Sequence, residues 1–468
     1  MSVGAASDPV VPPPAPRADS AAVRTGLVLL SAGLGILAFP PFHLPALGLV
    51  FPLPLLLAIR HAKPGQAVLL GLVHGLALFI GTLHWLLTVF GPFALLLHVI
   101  LALFPAIFAG LLTTLRPHLP SPRWQPWVAA ILWTGIEHFR SEWFGLRFPW
   151  ITPGTALPPG HLTPIVGVYG ISFLIIAACA ALSFGPENRR TAAALLAGLA
   201  LATWLPLPPS PEGGLRIAAI QVEDMSVPRL LQLSEKIEQA DAIVWPEYAI
   251  GFDPRENPAF LDQVRQLLRS KKASILVLGG RVDHGPELWE NTAFTIGLDG
   301  VLGTHVKNRP VHFFNDGRAG TDAPSIPTPL GPLATPICFD NDYAAVQRRA
   351  VARGAGFLLI PSMDAAHWTT TQHLQHAELF RHRAAENGRY LVVAATSGLT
   401  QGVDDRGRRI AALPLYDPGI LETRISPRSH RSLYQRGGWL IGPACSIIAA
   451  LLMIHAVIVA RKKGAPRA

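Results

Sequence analysis

Thr335-Pro336-Ile337-Cys338-Phe339-Asp340-Asn341-Asp342 is a stretch where an apolar, strand-like run gives way to a polar, helix-forming one, with a cysteine at the junction. Such a junction exposes the side chain and can place backbone N–H groups beside it. Two other stretches end in the same manner. Asp241-Ala242-Ile243-Val244-Trp245-Pro246-Glu247 is an apolar run closing on a carboxylate, and His305-Val306-Lys307-Asn308-Arg309 follows a strand pattern and offers an ammonium. A carboxylate, an ammonium and a thiol, each at a strand end, are the parts of a cysteine nucleophile with a general base and an anion-stabilising cation. A neighbouring cation is expected to favour the thiolate of Cys338.

Around these stretches, residues 215–403 alternate between strand and helix. Strand patterns cover 215–221, 242–245, 274–279, 333–337, 357–361, 390–395 and 398–403. Helical spacing covers 230–240, 258–270, 343–353 and 371–387, and a hairpin turns at Asp299-Gly300. Alternation of this kind predicts a layered α/β domain over 213–430.

The rest of the chain is of another kind. Half of the 468 residues are hydrophobic and only 15% are charged, which points to a membrane protein. Apolar runs recur at 23–39, 44–59, 66–89, 91–115, 126–140, 163–184 and 191–207, and again at 438–460. The reading is a disordered Pro/Ala/Ser-rich tail over 1–22, a membrane domain of about seven spans over 23–208, a last span over 438–460 and a cytoplasmic basic tail over 461–468. Lys and Arg fall on every second connection: Arg17 and Arg24, Arg60 and Lys63, Arg116 and Arg123, Arg189 and Arg190, then Arg461-Lys462-Lys463. That alternation predicts about eight transmembrane helices with the α/β domain outside the cytoplasm. The net charge of +9 is accounted for by these juxtamembrane residues. No basic stretch interleaved with aromatics suggests nucleic-acid binding.

One connection breaks the rule. Glu137 to Trp150 carries Arg140, Glu142 and Arg147 among Trp143, Phe144, Phe148 and Trp150. It reads equally as an interfacial segment, whose arginines meet lipid phosphates, and as a packing loop. Of the three cysteines, Cys179 and Cys445 lie in apolar runs, so Cys338 has no disulfide partner in its own domain. His367, His373, His376 and His382 do not follow a known metal-ligand spacing, and no cofactor or metal is expected.

The chain resembles the apolipoprotein N-acyltransferases, the membrane-integrated branch of the nitrilase superfamily. The likeness runs through Phe148-Pro149-Trp150, Pro164-Ile165-Val166-Gly167-Val168-Tyr169-Gly170, Val244-Trp245-Pro246-Glu247, the Lys307 segment, Gln375-His376, Arg383 to Arg389 and Asp404-Asp405-Arg406-Gly407. The resemblance implies an αββα sandwich carried on about eight spans. It implies Glu247 as general base, Lys307 as oxyanion cation and Cys338 as nucleophile. It further implies acyl transfer from a phospholipid, through a cysteine thioester, to the N-terminal amine of a diacylglyceryl lipoprotein in a bacterial inner membrane. The enzyme is expected to be a monomer.

The sequence departs from the family around the site. Where the family reads Pro-Phe-Gly-Glu-Tyr, this chain has Pro310-Val311-His312-Phe313-Phe314-Asn315-Asp316, and the family's glutamate falls near Asn315, with Asp316 adjacent. Asp340 replaces a glutamate, and Ser362-Met363-Asp364-Ala365-Ala366-His367-Trp368 replaces Ser-Asn-Asp-Ala-Trp. Asp340, Asn315, Trp245 and Asp364 are expected to support the site or touch substrate. The departures leave an alternative reading, an acyltransferase or amidase acting on another amine or lipid amide.

Overall fold

The structure is a computed structural model that describes residues 20–211, 213–285 and 287–464. The expected N-terminal tail lies almost wholly outside these residues; of the basic tail expected over 461–468, residues 461–464 continue the last helix and the rest lie outside. The first part is helical: α1 (Ala21–Ala38), α2 (Pro52–Ile59), α3 (Pro64–Thr82), α4 (Leu86–Phe90), α5 (Ala94–Leu115), α6 (Gln125–His138), α7 (Thr163–Ser183) and α8 (Arg189–Trp204). After the α/β part the chain returns through α13 (Leu433–Arg436) to α14 (Ile441–Gly464).

Five stretches among the described residues are helical, long and apolar enough to cross a bilayer: Ala21–Ala38, Pro64–Thr82, Leu86–His118, Thr163–Ser183 and Gly438–Ile458. The other three apolar runs fold shorter than their composition suggests. Pro45, Pro52 and Pro54 break the second run into a 3₁₀ turn, Pro45–Leu49, and the eight-residue α2, which spans only about 12 Å at 1.5 Å per residue. Residues 126–140 become the 14-residue α6, which passes into a π-helical turn, Phe139–Trp143. The seventh run gives the 16-residue α8.

The α/β part is two packed sheets between helices. Its strands are β1 (Leu215–Gln221), β2 (Ala242–Val244), β3 (Ile275–Asp283), β4 (Trp289–Gly297), β5 (Gly300–Val306), β6 (Leu333–Ala334), β7 (Phe357–Pro361), β8 (Leu391–Ala394), β9 (Gln401–Val403), β10 (Arg409–Ala412) and β11 (Gly419–Ile425). One sheet has the order β11-β1-β2-β3-β4-β5, the other β10-β9-β8-β7-β6. The helices are α9 (Val227–Ser234), α10 (Pro258–Lys271), α11 (Ala344–Ala352) and α12 (Thr370–Asn387).

Period-2 alternation sorts the side chains into layers. Ala242 and Val244 of β2 face the other sheet with Ile217, Ala219, Leu359 and Val392. Ile243 and Trp245 face the opposite way, into a core with Leu230, Phe260 and Val264 from α9 and α10. Leu358, Ile360, Leu391 and Val393 pack on the outer face of the second sheet with Val346 of α11 and Phe380 of α12. The result is an αββα sandwich. Strands β10 and β11 have no counterpart in the sequence reading; β11 comes back from the far end of the domain to pair antiparallel with β1.

The two parts are joined by buried hydrogen bonds. Trp85 Nε1 donates to Gln375 Oε1 of α12 (3.0 Å), and Gln375 Nε2 donates to the carbonyls of Pro40 (3.0 Å) and Thr82 (2.9 Å). Trp150 Nε1 donates to Asp342 Oδ2 (2.5 Å). The backbone N–H of Val168 donates to Glu386 Oε1 (2.9 Å) at a kink in α7 where Gly167 takes φ 65°. A Cβ on Gly167 would lie 2.5 Å from the Tyr434 ring and 3.0 Å from that carboxylate, so only glycine admits the contact.

The loop over 137–150 is resolved in favour of packing. Arg140 and Glu142 are buried. Arg140 Nη2 donates to Trp150 O (3.0 Å), and Glu142 Oε1 accepts from Ala344 N (3.0 Å) and Tyr169 OH (3.2 Å). These charges serve the junction between the two parts and are not free for lipid; Trp143 alone of the loop's tryptophans is exposed.

Candidate active site

Glu247, Lys307 and Cys338 line one cavity of about 300 Å³, together with Trp85, Phe90, Phe148 and Trp150 from the helical part. Each side chain comes from the end of a different strand, as expected. Glu247 follows β2, Lys307 follows β5, and Cys338 opens a 3₁₀ turn, Cys338–Asp342, after β6. All three are nearly inaccessible, at 1%, 2% and 5% exposure.

Lys307 Nζ lies 2.8 Å from Glu247 Oε1 and 2.7 Å from Asp316 Oδ2. Asn291 Nδ2 donates to both carboxylates, at 2.7 Å to Glu247 Oε1 and 2.8 Å to Asp316 Oδ1. Tyr248 OH donates to Asp316 Oδ1, and Val311 N donates to Asp316 Oδ2 (2.7 Å). Two carboxylates therefore share one ammonium, leaving a net charge of −1 beside the thiol.

Burial and these charges together set the protonation states. Burial pushes the Lys307 ammonium down, but Glu247 and Asp316 outweigh it and hold its pKa well above that of an ordinary lysine. Burial raises Glu247, and Lys307 offsets this only in part. Burial also raises Asp316, but there Lys307 wins and the net shift is downward. The pair is thus split, with Glu247 the carboxylate that takes a proton more readily. Cys338 goes the opposite way to the sequence expectation. Burial and then the Glu247 charge push its thiol well up, and Lys307 compensates only partly. At rest the sulfur is a thiol, and a base must remove its proton.

Cys338 has φ 43°, in the left-handed region that costs a non-glycine residue roughly 1–2 kcal/mol. Tyr248, next to Glu247, has φ 60°. Strained backbone at two adjacent strand ends is where functional groups are commonly aimed. The Cys338 turn is held by its own polar residues. Asp340 Oδ1 accepts from Asn308 N (2.9 Å) and Arg309 N (2.8 Å), while Oδ2 accepts from Ile337 N (3.1 Å) and His305 Nε2 (2.8 Å). Asp340 thereby pins the Lys307 segment to the cysteine turn, as a positioning residue.

The other expected residues divide. Asp364 lines the cavity, and Cys338 Sγ donates to the neighbouring Met363 O (3.5 Å). Asn315, where the family's glutamate was placed, lines the cavity but does not pair with Lys307; its Oδ1 accepts from Trp289 Nε1 (3.0 Å). The carboxylate on Lys307 is Asp316, one residue later, because the irregular 310–316 loop lets the backbone turn that side chain inward. Trp245 does not reach the cavity. Pleat alternation points it into the helix layer, where its Nε1 donates to Ser234 Oγ (2.9 Å). Asn291, Tyr248 and Asp316 were missed, and for Asp316 alone there was a signal, its place beside the expected glutamate.

His376, on α12, lies between Asp364 (Nδ1 to Oδ1, 2.8 Å) and Asp342 (Nε2 to Oδ1, 3.2 Å), stacked on Trp150 at 5.9 Å. It clamps the loop carrying Met363 to the turn carrying Cys338. Burial lowers its pKa, but the two aspartates raise it from 6.5 to about 10; His373, also near, is held low by its own burial. Because the folded value is the higher, the stabilisation is complete below pH 6.5 and is lost as pH rises toward about 10. The Tm of the detergent-solubilised protein should fall across that window, and less so for His376→Gln. Parallel curves for the two proteins would show that the ion pairs contribute nothing.

Gly279 of β3 backs the Glu247 turn. A Cβ there would lie 2.6 Å from Glu247 Cα and 2.8 Å from Tyr248 N, so backbone would have to move. Gly279→Ala should lose about 1–3 kcal/mol of stability and reduce turnover at unchanged expression. Thermal shift and kcat together test this; wild-type values for both would mean that the turn tolerates displacement.

The mouth of the cavity is aromatic. Phe313 (56% exposed) packs edge-on against Phe90 and Phe93 at 5.9 and 5.0 Å, and Phe314 (43% exposed) lies 5.5 Å from Phe90 and 6.2 Å from Trp368. An apolar cavity with a buried, charged floor suits a substrate that is mostly hydrocarbon with one reactive polar group.

Comparison with known proteins agrees with this division of the chain. Residues 31–181 match the family model for the apolipoprotein N-acyltransferase N-terminal domain, and residues 216–435 match that for carbon–nitrogen hydrolases. Among curated relatives, the apolipoprotein N-acyltransferase of Geobacter metallireducens is 27% identical, covering 91% of this chain and 94% of that protein. That of Pseudomonas syringae pv. tomato is also 27% identical, covering 93% and 96%. Among solved structures, an amidase from Nesterenkonia sp. is 22% identical with a TM-score of 0.40, covering 48% of this chain and 93% of that one.

Proposed function

This chain belongs to the apolipoprotein N-acyltransferase family, and on that premise we propose that Glu247, Lys307 and Cys338 carry an acyl chain from a phospholipid to the N-terminal amine of a diacylglyceryl lipoprotein. Glu247 takes the proton of the Cys338 thiol as the sulfur attacks the ester carbonyl of the donor. Lys307 stabilises the negative charge that develops on the carbonyl oxygen. The intermediate collapses to a thioester as Glu247 returns the proton to the departing lysolipid oxygen. In the second half the α-amine attacks the thioester, Glu247 accepts the amine's proton, and the thiol is regenerated as the amide forms.

The observation that carries this reading is the raised, buried Glu247 held by Lys307 in the same apolar cavity as a protonated Cys338. A base of raised pKa can both accept and return a proton near neutrality. The apolar walls fit the reaction, since each CH₂ drawn through water would cost about 0.8 kcal/mol. We further propose a bacterial inner-membrane protein with a membrane domain over 23–208 and a catalytic domain over 213–430 outside the cytoplasm. This is supported by the alternation of basic connections along the chain. The eight-span count belongs to the same proposal, with α2, α6 and α8 as shorter or partly inserted segments.

Mass spectrometry of lipoprotein N-termini tests the function. A strain lacking the gene should show diacylated termini with a free amine, and the wild-type gene should restore the third chain. Triacylated termini in the deletion strain would transfer the reading to another amine acceptor.

A further inference from the structure

Three basic groups at the cavity have no acidic partner. Arg147 and His312 line it directly, and Arg309 lies close enough for its charge to act on His312 together with that of Arg147. Among the described residues neither guanidinium makes an ion pair, and the Nε atoms of both are buried with no hydrogen-bond acceptor. The Arg309 guanidinium sits 5.2 Å from the Tyr343 ring centroid, and Tyr343 OH donates to Arg147 O (3.1 Å), so one tyrosine braces both. The carboxylate whose field reaches Arg309, Glu142, is already committed to Ala344 N and Tyr169 OH. Asp340 takes the backbone N–H of Arg309 and not its side chain.

Buried N–H donors without acceptors are costly, at roughly 1–3 kcal/mol each. Two guanidiniums and an imidazole near one another, with no counter-charge among the described residues, suit an anionic ligand. Burial and the two arginines hold His312 below its ordinary pKa, so at rest the imidazole is neutral and can donate one N–H. His312 stands in the 310–316 stretch where the sequence departs from the family pattern, with Arg309 just before it, and Arg147 is the one charge of the 137–150 loop that the junction does not consume.

We propose that Arg147, Arg309 and His312 form an oxyanion subsite at the cavity that holds the phosphodiester of the acyl-donor lipid while its ester reaches Cys338. The inference rests on the acyl-transfer reading above. An anionic phosphodiester satisfies the orphaned donors, and its attachment to two acyl chains places hydrocarbon in the apolar cavity. The subsite therefore acts on donor recognition and not on the chemical step.

The test uses the full-length enzyme in detergent and two donors with the same fatty acid, a phospholipid and its neutral p-nitrophenyl ester. The readout is the ratio of kcat/KM for acylation of Cys338 by the two. Arg147→Gln and Arg309→Gln should each lower the ratio, and the double variant by about 10- to 100-fold, the loss expected for charge-assisted hydrogen bonds, with unchanged Tm. Inorganic phosphate should compete with the phospholipid and leave the neutral ester unaffected. An unchanged ratio, with the neutral ester still acylating the wild type, overturns the subsite and leaves acyl transfer standing. No adduct from either donor on the wild type overturns both. Inhibition of both donors alike by phosphate would show a site for the free ion and overturn the assignment to lipid.

Discussion

Cys338→Ala is expected to form no hydroxylamine-sensitive acyl adduct with phospholipid, and to lose roughly 10⁴-fold or more in turnover, the scale seen when a covalent nucleophile is removed. The adduct needs a sulfur next to both a proton acceptor and a cation. Neither Cys179 nor Cys445 has both among the described residues, since each is buried within an apolar helix, α7 or α14. The fold should survive, because Asp340 and Asn341 hold the turn through their own hydrogen bonds. Cys338→Gly separates strain from chemistry. Glycine accepts φ 43° without penalty, so this variant should be equally inactive and more stable than the alanine variant by about 1 kcal/mol. Acylation of the alanine protein would end the assignment of the nucleophile.

Lys307→Met should be the most damaging substitution for stability and activity together. Among the described residues Lys307 is the one cation bonded to Glu247 and Asp316, and all three are buried. Removing it leaves two buried carboxylates bridged by Asn291, with Tyr248 OH and Val311 N donating to Asp316 alone, at a cost of about 3–5 kcal/mol. Some of that cost will be relieved by protonating Glu247, which removes the proposed base as well as the proposed oxyanion cation. Turnover should fall by roughly 10²- to 10³-fold. The triple variant Lys307→Met, Glu247→Gln, Asp316→Asn tests the cause, since it removes the charges along with their partner. Its Tm should return most of the way to wild type while activity stays absent. A Lys307→Met protein with wild-type Tm would show that the triad is not an electrostatic unit.

Both experiments depend on residues whose positions were legible to different degrees. The ends of β2, β5 and β6 could be read from apolar runs that stop at a polar residue, because a buried strand must stop where the chain leaves the sheet. The same rule located Glu247, Lys307 and Cys338. It misjudged Trp245, which belongs to the helix-facing parity of its strand. It also could not choose between Asn315 and Asp316, since a loop has no period to count by. Strands β10 and β11 escaped because β10 is mostly exposed and β11 buries only Leu421 and Ile425 among half-buried and charged residues, so no run of buried residues announces them. The apolar runs at 44–59 and 126–140 were visible, but their helical lengths were set by Pro45, Pro52 and Pro54 and by the π turn after His138.

By itself the sequence determined the division into apolar helices and an α/β sandwich, and it named the three groups at strand ends. These are local matters, decided by hydrophobic period and by where each run stops. The protonation of those groups was a tertiary outcome. Whether Cys338 is thiol or thiolate turns on how many charges are buried with it, and Asp316 and Asn291 arrive from distant segments that no local pattern links. The same holds for Arg140, Glu142 and Arg147, indistinguishable as neighbours in a loop. Packing consumed the first two and left the third at the cavity, because a buried charge takes whatever partner the fold brings within reach.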